Sequence, residues 1–293
     1  MTLLTRADDL RTGRTPFVLA TVVRAERPTS AKPGDRALVL PDGSMEGFVG
    51  GTCAESTVRL QGLRLLATGE STLLRITPTA ESETVGEGVV TVGNPCLSGG
   101  SLDIFLEAML PPTLVHVHGD APVARALLDI GRAVGHDVRR PVVGADLPAD
   151  LGALIVASHG RDEEPLLVAA LRANVPYVGL VASRKRGRAV LESLDIGEEE
   201  RARVHTPAGL DIGARTPAEV ALSVYAEMVN TRGPAPAPTE PVVLAAEAVD
   251  PVCGMTVAVS ESALSLMDNG LSVYFCGAGC HRAYADDPER YRP

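Results

Sequence analysis

At 293 residues the chain is longer than an average domain, and its length predicts two domains with room for a small third. A formal net charge of −10 argues against non-specific nucleic-acid binding, whose affinity comes mostly from phosphate neutralisation by Lys and Arg. No apolar run approaches the roughly 18 residues that span a bilayer, and the first residues lack a signal peptide's apolar stretch. We therefore expect a cytoplasmic protein that contacts no membrane.

The first part of the chain predicts an α+β domain. Apolar runs, mostly strand-like, occupy residues 17–24, 36–49, 85–92 and 102–110. The second run contains the hairpin turn Asp42-Gly43. Apolar residues recur with a helical period from Ala54 to Ala67, and Gly69 ends that helix. Pro111-Pro112 closes the domain.

Two of the five cysteines lie in glycine-rich turns of this domain. Cys53 follows Gly50-Gly51-Thr52 at the start of the predicted helix, where the helix dipole favours a thiolate that serves as nucleophile or soft-metal ligand. Cys96 lies in a second flexible loop, which has the freedom to converge on the first. An equally good interpretation is that either cysteine is only a small buried hydrophobic residue.

From Thr113 short apolar strands alternate with helices, which predicts a Rossmann-like, doubly wound parallel sheet and an α/β fold class. The strand-like runs are residues 114–118, 153–157 and 177–181, and the helical runs are residues 127–134, 165–172 and 188–194. The last helix begins at Thr216-Pro217-Ala218-Glu219, a capping box with proline at the first helical position, and ends near Asn230.

Three places in this second domain suggest anion binding. Gly119 follows the first strand, but Ala121 and Pro122 interrupt the glycine pattern of a dinucleotide site, so a plain strand-to-helix turn is an equal alternative. Ser183-Arg184-Lys185-Arg186 begins a helix. Its cations lie at the positive end of the helix dipole, which favours a bound phosphate that compensates them. A solvated basic face is an equal alternative. His159 follows another strand at the same edge of the sheet.

The end of the chain predicts a small metal-binding module behind a Pro/Ala-rich linker at residues 233–248. Cys253 precedes a predicted hairpin, and Cys276 and Cys280 have the spacing of one helical face. Thiolates suit Cu(I) or Zn(II) better than a hard cation. A module of this size needs a stabilising cross-link, which favours a metal over idle thiols in a small packed fold.

These strings resemble two families. GGTCAES, NPCLSGGSLDIFLE, YVGLVASRKR and HTPAGLDIGARTPAEVALSVYAEMV resemble the XdhC/CoxI family of molybdenum-hydroxylase maturation factors, and DPVCGM, VYFCGAGC and DPERY resemble a YHS domain. The resemblance divides the chain into an XdhC/CoxI N-terminal domain at 1–112, a Rossmann-like XdhC domain at 113–232, the linker, and a YHS domain at 249–293.

The resemblance implies a non-catalytic, homodimeric chaperone that carries the molybdenum cofactor, assists its sulfuration and delivers it to a xanthine dehydrogenase or CO dehydrogenase type apo-enzyme. A cysteine desulfurase or a cofactor nucleotidyltransferase would be a further partner. Cys53 and Cys96, with Gly50 and Gly51, would contact the molybdenum end. The phosphate or dinucleotide part would be held by Gly119, His159, Ser183, Arg184, Lys185, Arg186 and Asp211.

The C-terminal thiols extend this interpretation. Aerobic CO dehydrogenase carries a copper–sulfur–molybdenum centre, so a tail that binds Cu(I) through Cys253, Cys276 and Cys280 would serve its assembly. Zinc is the other metal expected at these thiols. Two alternatives stay open: an NAD(P)-dependent oxidoreductase, which the interrupted glycine pattern disfavours, and a copper- or zinc-buffering protein, which leaves the first two domains unexplained.

Overall fold

The computed structural model describes residues 2–78, 83–93, 100–231, 246–260 and 262–291, and the chain folds as two compact units. Unit 1 combines Met1–Pro111 with Glu240–Pro293, and unit 2 is Pro112–Thr239. The predicted α/β class is confirmed. The structure adds that the end of the chain belongs to the same unit as its beginning, which the linker composition did not indicate. The finer division at residues 112, 232 and 248 stays a prediction.

Unit 1 is built on a seven-stranded sheet in the order β3-β2-β1-β7-β4-β6-β5. The strands are β1 (Phe17–Glu26), β2 (Arg36–Val39), β3 (Met45–Gly47), β4 (Thr72–Thr77), β5 (Thr84–Gly86), β6 (Val89–Gly93) and β7 (Ser101–Met109). Neighbouring strands are antiparallel except for β4 and β6. Val18, Ala20 and Val22 alternate along β1 and are buried, which is the two-residue period of a strand with one face in the core.

Two helices accompany this sheet, α1 (Leu3–Thr12) and α2 (Thr52–Thr68). The buried side chains of α2 include Val58 and Leu65, as its apolar period predicted. Gly69 ends α2 in the left-handed conformation, with φ of 75° and its N–H bonded to the Leu65 carbonyl at 2.7 Å. This helix therefore lies on the sheet with its N-terminus at Thr52.

The structure differs from the sequence prediction at three elements of unit 1. The run 85–92 is divided between β5 and β6 by a turn at Glu87-Gly88, with φ of 43° and 78°. Two consecutive positive φ angles are typical of a tight hairpin turn, and the apolar residues on both sides conceal it in the sequence. Helix α1 and strand β4 were not predicted, and α1 gives only a weak signal because it buries only Ala7 and Leu10.

Unit 2 contains a five-stranded, all-parallel sheet in the order β12-β11-β10-β8-β9. Its strands are β8 (Leu114–His118), β9 (Asp137–Arg139), β10 (Leu151–Val156), β11 (Tyr177–Leu180) and β12 (Val204–His205). Its helices are α3 (Pro122–Ala133), α4 (Glu163–Arg172), α5 (Arg184–Ser193), α6 (Glu198–Ala202) and α7 (Pro217–Thr231). Along β10, Ile155 and Leu154 enter separate cores on the two faces, so the predicted doubly wound sheet is confirmed.

The packing of α3 on α7 leaves no room for a side chain at Gly131. A Cβ there would lie 2.1 Å from the Tyr225 hydroxyl, which donates a hydrogen bond to the Leu127 carbonyl at 2.8 Å. We expect Gly131→Ala to destabilise unit 2 by about 1–3 kcal/mol, because overpacking outweighs the gain in helix propensity. Thermal unfolding of Gly131→Ala, Tyr225→Phe and the double variant checks this. The double variant should lose less than the sum of the two single changes, whereas strict additivity would contradict the contact.

The rest of unit 1 is the C-terminal segment, residues 246–291. It contains β13 (Glu247–Val249), β14 (Thr256–Ala258), β15 (Leu264–Asp268), β16 (Leu271–Phe275) and α8 (Ala278–Asp286). The first two strands pair, and the last two form the predicted hairpin. Arg64 of α2 bonds to both Glu83 and Glu247 at 2.8 Å, which ties the segment to the N-terminal part of the unit. Within the described ranges, no helix has the length and apolar character to cross a membrane.

Candidate functional site

Three thiols of the C-terminal segment form a compact group, here called the thiol cluster: Cys253, Cys276 and Cys280. The Sγ atom of Cys276 lies 3.5 Å from that of Cys253 and 3.6 Å from that of Cys280. Together with a carboxylate oxygen of Asp250, the three sulfur atoms lie within 4.8 Å of one another. Sulfur atoms at this spacing are suited to sharing one soft metal ion.

Each thiol reaches the cluster from a different local structure. Cys253 lies in the turn after β13, Cys276 directly follows β16, and Cys280 is in the first turn of α8. The prediction that Cys276 and Cys280 share a helical face is wrong, because α8 begins only at Ala278 after its N-cap Gly277. The two sulfur atoms still meet, since the strand delivers Cys276 to the start of the helix that carries Cys280.

Asp250 holds the thiol cluster in shape, and the sequence analysis missed it. Its side chain is fully buried, and its two oxygens accept hydrogen bonds from the backbone N–H groups of Val252 at 2.9 Å and Cys276 at 2.8 Å. Burial opposes ionisation of this carboxyl, but hydrogen bonds from the two N–H groups and from the thiols of Cys276 and Cys280 together outweigh it and hold the pKa of Asp250 below its usual value. The signal available in the sequence was an Asp directly before Pro-Val-Cys.

Cys53, from the N-terminal part of the unit, lies beside the thiol cluster. It is the second residue of α2, as predicted, and it packs against the same small core as the three C-terminal thiols. Its thiol is close enough to Cys276 to raise the pKa of that residue. The chain therefore brings Cys53 to the C-terminal thiols, which the sequence analysis had treated as a second site. Cys96 lies outside the described residues, and its approach to Cys53 stays a prediction.

A cavity of about 660 Å³ opens beside these thiols. Gly51, Thr52 and Cys53 line one side of it, and the thiol cluster with Arg282 lines another. Gly50 has a structural role instead: its φ of 142° suits glycine, and a Cβ there would lie 3.1 Å from the Ala54 Cβ. The cavity thus combines sulfur ligands, a guanidinium and the start of a helix.

Two helices begin at this cavity. The N-caps of α2 and α8 are Gly51 and Gly277, and neither N-cap supplies a side-chain hydrogen bond. The two starts touch, because a Cβ built on Gly277 would lie 2.9 Å from Cγ2 of Thr52. The positive dipole ends of both helices therefore favour negative charge on the thiols or on a bound anion.

The thiols differ in how readily they ionise. Cys276 shares a hydrogen bond with Cys253, and this contact lowers the pKa of Cys253 and raises that of Cys276. Burial raises the pKa of Cys280 to about 12. All four cysteines of the described part of the chain are thiols, with no disulfide among them.

Unit 2 has a separate cavity of about 690 Å³ at the carboxyl ends of β10 and β11. Its lining includes five of the residues predicted to bind phosphate: His159, Ser183, Arg184, Arg186 and Asp211. Ser183 caps α5, and its hydroxyl accepts a hydrogen bond from the Arg186 N–H at 3.3 Å. Lys185 is exposed and does not line the cavity.

Arg186 already has an acidic partner in this cavity. Its guanidinium pairs with Glu163, a residue only 4% exposed that also accepts hydrogen bonds from Ser158 Oγ and the Gly160 N–H. Arg184 lies 3.9 Å from Asp211, and both side chains are exposed. The sequence analysis missed Glu163. Its carboxylate compensates the cation that we expected a phosphate to neutralise.

Gly119 does not join that cavity. It lines a smaller cavity of about 230 Å³ next to β8, the strand from which the chain adds β9 on one side and β10 on the other. A Cβ there would lie 2.2 Å from the Ala157 carbonyl oxygen, so close packing of the backbone requires glycine at this position. Arg161 pairs with Asp120 beside it, and Pro122 at the start of α3 lacks an N–H donor. These residues do not fit a dinucleotide pyrophosphate, which disfavours the oxidoreductase alternative.

The sequence matches two family descriptions. Residues 10–77 match the XdhC and CoxI family, and residues 115–228 match the XdhC Rossmann domain. The chain is 28% identical over 265 residues to the uncharacterised protein YqeB of Escherichia coli K12, covering 80% of this chain and 47% of YqeB. It therefore spans about half the length of that relative.

Two further relatives carry descriptive names. The molybdenum cofactor insertion chaperone PaoD of Escherichia coli K12 is 23% identical over 73% of this chain and 83% of PaoD. A probable xanthine dehydrogenase component of Bacillus subtilis 168 is 31% identical over 80 residues, 27% of this chain and 23% of that protein. A crystal structure described as a xanthine dehydrogenase from Bacillus halodurans covers 83% of this chain and all of its own at 15% identity, with a TM-score of 0.38.

Proposed function

The chain belongs to the XdhC and CoxI family, and on that basis we propose that it is a maturation chaperone that carries the molybdenum cofactor to a molybdenum hydroxylase apo-enzyme. The relative PaoD, whose name describes molybdenum cofactor insertion, supports this role. The observation that carries the proposal is the cavity at Cys53, in which a thiol and the N-terminus of α2 face a space of cofactor size.

The cavity suits a sulfur-rich, anionic ligand. Its volume of about 660 Å³ is within the range of small-molecule sites, roughly 300–1,000 Å³. The thiol of Cys53 supplies a soft ligand for molybdenum, and the N–H groups of Gly51 and Thr52 lie where a helix start attracts anions. Arg282 adds a permanent positive charge at the same cavity. When bound, the cofactor would supply the molybdenum and its ligands, and the chain would hold and shield them.

Phosphate binding in unit 2 is part of the proposal. The hydroxyl of Ser183 and the N-terminus of α5 line its 690 Å³ cavity, and Arg184 is exposed there. A phosphate in this cavity would contact the helix N–H groups and Arg184, because Arg186 is engaged by Glu163. Whether the phosphate belongs to a mononucleotide or a dinucleotide form would not alter these contacts.

The remaining steps of the proposal concern the modification of the cargo. The chain would assist sulfuration, or a copper–sulfur modification, before insertion into a xanthine dehydrogenase or CO dehydrogenase type enzyme. A cysteine desulfurase would be the partner that supplies the sulfur, and a cofactor nucleotidyltransferase would be the partner that supplies a dinucleotide form of the cofactor. The C-terminal segment, which resembles a YHS domain, would contribute copper or zinc at its thiol cluster. A metal-buffering role is the second candidate, and the same cluster supports it.

A loading assay tests the proposal. The full chain is purified without oxygen from cells replete in molybdate, and molybdenum and oxidised pterin fluorescence are measured per chain. We expect close to one of each in the wild type and a loss of about 100-fold in Cys53→Ala, because the variant removes a metal ligand, and even residues that only support ligands contribute about 10–100-fold. Transfer is then measured as activity gained by a purified molybdenum hydroxylase apo-enzyme.

The matched control is Glu70→Ala, an exposed change just beyond the opposite end of α2. This variant should load as the wild type does. Wild-type protein that contains no pterin under these conditions, while it still binds copper or zinc, would exclude the cofactor chaperone and favour the metal buffer.

A further inference from the structure

We propose that Cys53 is the fourth sulfur ligand of one soft metal ion held by Cys253, Cys276 and Cys280. The site would take Zn(II) or Cu(I), and it would be shared between α2 and the C-terminal segment. This inference goes beyond the cofactor chaperone and does not depend on it, because the ligands and their test involve a metal ion alone.

The spacing of the sulfur atoms supports a single ion. A tetrahedral site with Zn–S bonds of about 2.3 Å places its sulfur atoms about 3.8 Å apart. The separations of 3.5 Å from Cys276 to Cys253 and 3.6 Å from Cys276 to Cys280 are close to this value before any metal is added. Cys53 packs on the same small core as these three thiols and lines the same cavity with them.

Asp250 is the competing candidate for the fourth position, since one of its oxygens is within reach of the three thiols. Both of its oxygens, however, already accept backbone N–H groups, from Val252 and Cys276. A carboxylate used in this way orients the loop that carries a ligand, and a soft ion prefers a thiolate to a hard oxygen. Asp250 is therefore a positioning residue, and Cys53 is the better fourth ligand.

The surroundings favour a cluster of thiolates at this point. Four thiolates around Zn(II) carry a net negative charge, which is costly at a half-buried site without compensation. The starts of α2 and α8 touch each other and line the same cavity as the thiols, so the positive ends of both helix dipoles lie near the cluster. Arg282 lines this cavity too. The compensation comes from both parts of unit 1, as a shared site requires.

A shared ion would have two consequences. It would cross-link the C-terminal segment to α2, adding to the ion pairs of Arg64 with Glu83 and Glu247. It would also occupy the sulfur of Cys53 that the proposed cofactor uses. The metal and the cofactor would then compete for Cys53, and loading with one would lower the affinity for the other.

The test uses Co(II) as a spectroscopic probe in the full, metal-free chain under anaerobic conditions. The wild type should give the spectrum of a tetrahedral four-thiolate site. In Cys53→Ser the sulfur-to-cobalt charge-transfer absorbance per ion should fall by about one quarter, because one of four thiolates is replaced. Zn(II) affinity, measured by competition, should fall about 100-fold or more, a larger effect than that of residues that only support ligands.

Further variants make the result decisive. Cys253→Ser should lose charge-transfer intensity as well, and Glu70→Ala should match the wild type. In Cys53→Ala, added 2-mercaptoethanol should restore the four-thiolate spectrum, which a misfolded protein would not permit.

If Cys53→Ser keeps the wild-type spectrum and affinity while Cys253→Ser loses both, the ion is held by the C-terminal segment alone and the inference fails. A wild type that binds neither Co(II) nor Zn(II) overturns it too. Loss of cofactor loading with intact metal binding would instead refute only the proposed function.

Discussion

Asp250→Ala should unfold the C-terminal segment locally while leaving unit 2 intact. The change removes a fully buried carboxylate and leaves the N–H groups of Val252 and Cys276 without their acceptor. A buried N–H left unsatisfied costs about 1–3 kcal/mol, and this applies fully to Cys276, whereas Val252 is only partly buried. The local loss should therefore be about 1–3 kcal/mol from Cys276, with a smaller addition from Val252. A segment of this size has little core with which to offset such a loss.

Hydrogen exchange of the full chain, followed by mass spectrometry, measures this loss region by region. Peptides that contain Val252 and Cys276 should exchange much faster in Asp250→Ala, and peptides of unit 2 should be unchanged. Asp250→Asn is the matched control: its amide retains one oxygen acceptor, so it should lose about half as much protection. Equal protection in the alanine variant and the wild type would mean that Asp250 does not organise the thiol cluster.

Glu163→Ala should destabilise unit 2 by about 2–3 kcal/mol, less than the roughly 3–5 kcal/mol of breaking a fully buried ion pair. Glu163 is 4% exposed and accepts from Ser158 at 3.0 Å and Gly160 at 2.7 Å in addition to Arg186. The side chain of Arg186 is 34% exposed, so water recovers part of the cost. The change is measured by denaturant unfolding, from the shift of the midpoint concentration when the m-value of the variant equals that of the wild type.

Two control variants separate the ion pair from the loop contacts. Glu163→Gln retains an oxygen for Gly160 and should cost less than the alanine change. Arg186→Met removes the cation and leaves Glu163 buried with its other donors, Ser158 and Gly160. If both controls cost as much as Glu163→Ala, the charge pair alone accounts for the effect, and the contacts to residues 158–160 contribute nothing.

The predicted location of phosphate binding depends on this ion pair. In the sequence, the basic run Arg184 to Arg186 favours a bound anion, because cations oppose the dipole at the start of a helix. The fold provides a protein anion for Arg186, since Glu163 at the start of α4 reaches the start of α5. The remaining attraction for phosphate comes from the N–H groups of α5 and from Arg184. It is weaker than the attraction predicted from all the cations of the basic run.

Local patterns in the chain were sufficient to predict several elements. The alternation of apolar strands and helices after Thr113 predicted the doubly wound sheet, the glycines around Cys53 marked the start of α2, and the hairpin after Cys253 formed as expected. Each depends on residues within one or two turns of the chain, where periodicity and capping act. The turn at Glu87-Gly88 shows the limit, because the apolar residues on both sides read as one strand.

Which of these residues meet became known only from the folded chain. Cys53 and Cys276 are more than two hundred positions apart, and no local pattern records that α2 and α8 begin at the same cavity. The same holds for Glu163 beside Arg186, and for Gly119, which packs on Ala157 and does not line the cavity of Ser183. Such contacts depend on packing between distant elements, which spacing along the chain does not encode.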